Sequence, residues 1–95
     1  MKIRDLVSGR GVDRLEVRVV EKRQPRRVIT KYGKSLTVTM ITVEDDTGSI
    51  QMSLWGKDGE AVEVGDRLEI KDAFVREFRG EKQLTLGRRG SMKKL

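Results

Sequence analysis

The chain contains no cysteine, no histidine and no asparagine, a single proline, and only four aromatic residues in 95 positions. Without cysteine there are no disulfides, thiolate metal sites or cysteine nucleophiles. Without histidine the usual acid and base of neutral-pH catalysis is missing. A phosphodiesterase would still need a metal cluster or a general base, and no grouping of the remaining residues offers one. The expectation is a protein that is not an enzyme and holds no metal or cofactor. No apolar run approaches the length that spans a bilayer, and Met1 to Leu6 leads into nothing like a signal peptide, so a cytoplasmic protein without membrane contact is expected. The missing asparagine, beside abundant lysine, arginine and glutamate, is a bias of proteins from hot environments.

What is present is charge, unevenly placed. The net charge is +6, but residues 1–40 carry eleven Lys/Arg against four Asp/Glu, residues 41–72 three against nine, and residues 73–95 seven against two. If the basic ends meet in the fold, they make a positive surface backed by a negative one, the layout of a polyanion binder. Charge mixed for solubility alone is the competing explanation.

The periodicity is that of strands. Leu15 to Val19 alternates apolar with charged residues, enters from the turn residues Ser8 to Gly11 and extends to Lys22 or Arg23. Pro25 must end that strand, bulge it or make it an edge. Val28 to Thr30 resumes extended structure before a tip at Lys31 to Lys34, giving a basic arm. The second strand, Ser35 to Glu44, alternates over Leu36, Val38 and Met40, with Thr37 and Thr39 on the opposite face. Glu44 to Gly48 is a solvated hairpin turn, because three adjacent acids lack the spaced oxygens of a calcium loop. The third strand is Ser49 to Trp55, followed by a segment that holds at most one helical turn. The fourth runs from Arg67 to Arg79. Gly80 and Glu81 turn the chain, and Gln83 to Leu86 is the fifth strand, with a basic tail over 88–95 that is expected to fray. One all-β domain over residues 1–95 follows, and closure into a small barrel would remove its exposed edges.

Within the fourth strand, Leu68 and Ile70 point inward, and strict alternation would send Asp72 after them. A phase slip by a bulge at Asp72 resolves the conflict. Ala73 and Val75 then face the core, and Phe74, Arg76 and Phe78 face solvent together. Two rings left in water forgo about 1.5–3 kcal/mol of burial each, so such an exposed pair reads as a stacking platform. The alternative keeps the phase and buries both rings. Trp55 falls in phase with Gln51 and Ser53, on the wet face of its strand.

The runs Asp46 to Ile50, Ser53-Leu54-Trp55-Gly56, Val64-Gly65-Asp66, Phe74, Phe78-Arg79-Gly80 and Leu84 to Gly87 resemble the simple single-stranded DNA-binding proteins of archaea. They are similar as well to the small OB subunit of the eukaryotic single-strand sensor complex and to the OB domains of replication protein A. The resemblance covers Ile3 to about Gly87. It implies a five-stranded OB-fold Greek-key barrel with at most a short helical turn between strands three and four, whose members stack bases at the positions that here are Trp55, Phe74 and Phe78. It also matches Thr30 and Lys31 to the loop that touches the bound strand, and Arg88 to a basic position after the fifth strand. Thr85 stands where some relatives carry a further aromatic. Arg27, Lys31, Arg76, Arg79 and Arg88 are the candidates for phosphates, and Thr37, Thr39, Gln51 and Ser53 for adaptable hydrogen bonds. Tyr32 either joins the stack or caps the arm.

The expected partner is single-stranded DNA in replication or repair, bound by a monomer with little sequence preference. RNA bound by the same face is the alternative, since OB folds serve both. A protein-interaction module with its rings buried against a partner is a third reading.

Overall fold

Six strands and two short helical turns make up the computed structural model, which describes residues 1–86 and 89–95. A 3-10 turn, Ile3–Asp5, precedes β1 (Gly11–Lys22), β2 (Arg26–Ile29), β3 (Ser35–Asp45), β4 (Gly48–Trp55), α1 (Lys57–Ala61), β5 (Arg67–Phe78) and β6 (Glu81–Lys94). The hydrogen-bonded order is β1-β5-β6-β4-β3, and β3 pairs back with β1, so five strands close into a barrel. All barrel pairs are antiparallel except β4 with β6. The short β2 lies outside the barrel, paired among the described residues only with β3 after the break at Pro25, and makes the expected arm.

The core is aliphatic, built from inward residues of every barrel strand: Val12, Leu15, Val17 and Val19; Ile41 and Val43; Ile50, Met52 and Leu54; Leu68, Ile70, Ala73 and Val75; and Leu84. Ile3 and Leu6 from the N-terminal segment and Val62 after α1 complete it. The phase slip at Asp72 is present. Leu68 and Ile70 are buried before it, Ala73 and Val75 after it, and Asp72 itself takes a left-handed φ of 54° where the β5–β6 register shifts. β1 bends at the same level, because Val12 and Leu15 are both buried with Asp13 and Arg14 exposed between them.

Two sequence expectations are corrected. In β3 the phase is the reverse of that expected: Thr39, Ile41 and Val43 point inward, and Leu36, Val38, Met40 and Thr42 point out. Pairing with β4 decides this, since Thr39, Ile41 and Val43 stand opposite the buried Leu54, Met52 and Ile50. The C-terminal segment is also not frayed. Ser91, Met92, Lys93 and Lys94 pair with Lys71, Ile70, Glu69 and Leu68, and the Leu95 amide donates to the Arg67 carbonyl at 2.9 Å.

The acidic turn after β3 holds the N-terminus. Asp45 accepts from the Ile3 amide at 2.8 Å and from the Thr47 amide and hydroxyl at 2.8 and 2.6 Å, while Lys2 donates to Asp46 at 2.8 Å. Partial burial pushes the Asp45 carboxyl up, but the hydrogen bonds from Thr47 and Ile3 outweigh it and hold the group below the ordinary carboxylate range. Hydrogen bonding to Lys2 and its charge do the same for Asp46. Carboxylates whose folded pKa is lowered stabilise the fold above their unfolded pKa, and that contribution is lost as pH falls through the folded values. The expected result is an unfolding temperature that is level near neutrality and declines below about pH 5, with amides 3–6 losing hydrogen-exchange protection first. An unfolding temperature unchanged down to about pH 2 would contradict it.

Candidate nucleic-acid interface

Direct cross-strand partners share a face, so the register fixes the outer surface of β3, β4, β6 and the second half of β5. One row runs Arg26–Val38–Trp55 across β2, β3 and β4. The next runs Met40–Ser53–Thr85–Phe74, and the third Thr42–Gln51–Gln83–Arg76. Phe78, opposite Glu81, closes the surface at the β5–β6 hairpin. On this face Trp55 is 47% exposed, Phe74 39% and Phe78 58%, whereas the inward neighbours Leu54, Val75 and Leu84 are at most 1% exposed. The alternative in which both phenylalanines are core does not hold.

Local backbone geometry aims the rings. The bulge at Asp72 sets Phe74, Arg76 and Phe78 outward. Arg79 (φ 53°) and Gly80 (φ 81°) form a two-residue turn with both residues left-handed, the type I′ geometry that suits the twist of a hairpin. The turn places the Arg79 guanidinium 5.3 Å from the Phe78 ring centroid. At the arm tip Lys31 lies 5.3 Å over the Tyr32 ring, which is 82% exposed. Thr30 is engaged in the tip itself: its hydroxyl accepts from the Lys34 amide at 3.2 Å and its amide donates to the Lys34 carbonyl at 2.8 Å.

The remaining expected residues divide. Gln51 and Ser53 stand beside Trp55 on the face. Thr39 does not. It is 1% exposed and packs against Gly59 of α1, so it offers nothing to a ligand. Thr37 shares its phase, half-buried, and its carbonyl accepts from the Gly56 amide at 2.8 Å. Arg27 pairs with Thr37 and so lies on the far side of the arm, while Arg26 is on the Trp55 side. The Arg88 candidate lies outside the described residues. Sequence reasoning missed Arg26, Leu36, Val38, Met40, Thr42 and Gln83. The signal was in β3, where Ile41 and Val43 already share the phase of Thr39.

Charge is sorted by wall. Along β1 and the first half of β5, Arg14 pairs with Glu69 at 2.6 Å, Lys71 with Glu69 at 3.6 Å and Arg18 with Glu44 at 2.9 Å; Lys94 pairs with Asp66 at 3.2 Å. Arg26, Arg27, Lys31, Lys34, Arg76 and Arg79 form no ion pair among the described residues. Lys94 of the basic C-terminal segment therefore belongs to the paired wall, and Arg76 belongs to the face. Where β4 and β6 part below Gln51 and Gln83, a groove of about 630 Å³ continues the face toward the N-terminal turn, lined among others by Thr42, Ser49, Gln51 and Glu81.

No family model matches the chain. The single-stranded DNA binding protein Ssb of Saccharolobus solfataricus is 35% identical over 71 residues, which are 75% of this chain and 47% of that protein. The chain thus spans about half the length of this curated relative. Among solved structures, an OB domain from Thermoplasma acidophilum superposes with a TM-score of 0.85 at 23% identity, covering 100% of this chain and 85% of that one. The replication factor A related protein of Methanobacterium thermoautotrophicum gives 0.81 at 26% identity, covering 100% and 89%. The fold is the OB barrel.

Proposed function

We propose that this chain, an OB-fold domain of the archaeal single-stranded DNA-binding type, binds single-stranded DNA by stacking bases on Trp55, Phe74 and Phe78 during replication or repair. The observation that carries the reading is the exposure of three rings on one face of a barrel whose other large apolar side chains are mostly inside. The resemblance to Ssb, itself a single-stranded DNA binding protein, supports it. Rigid strands hold the rings in place, so a base loses little additional protein freedom on stacking, and each contact contributes about 1–3 kcal/mol. Every base has a π-face, so sequence matters little to this term. Arg26 on the Trp55 side of the arm, Lys31 and Lys34 at its tip and Arg79 beside Phe78 have no acidic partners among the described residues and take the phosphates. Those contacts position the strand without reading it.

One titration tests this. Oligo-dT should quench Trp55, the only tryptophan, and the logarithm of the binding constant should fall with the logarithm of salt at a slope of roughly −3 for about four neutralised phosphates. Arg79→Gln should make the slope shallower by about 0.7 and weaken all sequences alike. A flat salt response, or no affinity for any strand of about ten nucleotides at low salt, would point instead to a protein-interaction module.

A further inference from the structure

We infer that Arg76 reads the edge of a base rather than a phosphate, giving the chain a preference for guanine at one position of an otherwise freely chosen strand; the inference rests on the single-stranded DNA reading above. Side chains on a strand stand roughly perpendicular to the sheet. A phenyl plane contains the axis of its own side chain, so a base stacked on Phe74 or Phe78 also stands upright and turns one edge down to the sheet. The floor beneath it is polar. Arg76 lies midway between the two rings, roughly 7 Å along the strand from each, and Gln83 and then Gln51 continue the row across the sheet.

These floor groups are unused by the protein. Arg76 is exposed, Gln51 and Gln83 are half-buried, and none of the three side chains makes a hydrogen bond or ion pair among the described residues. Their chemistry differs. A glutamine amide both donates and accepts and can suit any base edge, whereas guanidinium only donates, through a planar fork. Guanine offers two neighbouring acceptors, O6 and N7, which match that fork in a bidentate pair. Thymine has no two adjacent acceptors, so it leaves half of the fork unpaired. A phosphate contact would require the backbone to run along the floor, under the bases that the rings hold upright.

The test uses the whole chain with oligo-dT of about six nucleotides, close to the site size of one small barrel, and the same oligomer carrying one internal dG, dC or dA. The dG oligomer should bind about fivefold tighter than oligo-dT, the low end expected of a bidentate contact that remains partly wet. Arg76→Lys, which keeps the charge and loses the fork, should reduce that ratio to below about twofold with the salt slope unchanged. Equal binding of all four oligomers by the wild type, a preference for dC or dA, or a dG preference that survives Arg76→Lys would each overturn the inference. A steeper loss of salt dependence in Arg76→Gln than in Arg79→Gln would overturn it too, by making Arg76 a phosphate ligand. Failure of the wild type to bind any of the oligomers would instead remove the single-stranded DNA reading itself.

Discussion

Replacing Phe74 and Phe78 together by alanine should weaken oligo-dT binding by about 2–6 kcal/mol and leave the unfolding midpoint nearly unchanged. In the proposed binding mode each ring contributes about 1–3 kcal/mol as a stacking surface. The two stand roughly 14 Å apart along β5, far enough for their effects to add. Both are substantially exposed in the free chain, so truncation opens no cavity. The comparison is internal to the strand, because Val75 lies between Phe74 and Arg76 and is 0% exposed. Fluorescence titration and urea unfolding of the double variant are the two measurements. A loss of stability of about 3–5 kcal/mol, typical of a truncated core phenylalanine, would show that the rings support the fold.

The second large effect concerns α1. A side chain at Gly59 would overlap the Thr39 hydroxyl and set its first carbon 2.6 Å from the Thr39 Cβ, closer than van der Waals contact permits. Gly59→Val should therefore cost about 1–3 kcal/mol of stability, as overpacked sites do. Glu60→Val, one residue along and exposed, is the control that introduces the same side chain in open space. Equal urea midpoints for the two variants would mean that α1 lifts away from β3 without cost. The displacement also touches the proposed binding face, since the Gly56 amide that anchors the start of the helix to the Thr37 carbonyl follows Trp55 directly.

The bulge was legible because two short apolar pairs, Leu68 with Ile70 and Ala73 with Val75, bracket an acid and have opposite parity. Only an extra residue reconciles them. The rings followed from that bulge, and Trp55 from the alternation of its own strand. β3 was misread for a physical reason. Leu36, Val38 and Met40 form a longer apolar series than Ile41 and Val43, and alternation within one strand does not say which series meets the core. The β4 register decides it, and the losing series becomes apolar lining beside Trp55. The C-terminal strand was missed because its glycines and charges suggested a loose end. A twelve-residue β5 needs a partner along its whole length, and four residues of β6 could not have supplied one.

The brief pairing of β4 with β6 has a mechanical meaning. Among the described residues three pairs, Gln51–Gln83, Met52–Leu84 and Ser53–Thr85, join these strands, through the slanted bonds of a parallel ladder. The barrel is thus a sheet rolled up and fastened along a short seam, and the seam passes between Trp55 and Phe74, down the middle of the proposed binding face. A strand of DNA lying across both rings would bridge the seam like a stitch. Since such a ligand grips only the closed barrel, its binding energy reappears as resistance to unrolling. The joint that is shortest in the free protein is the one its ligand would reinforce.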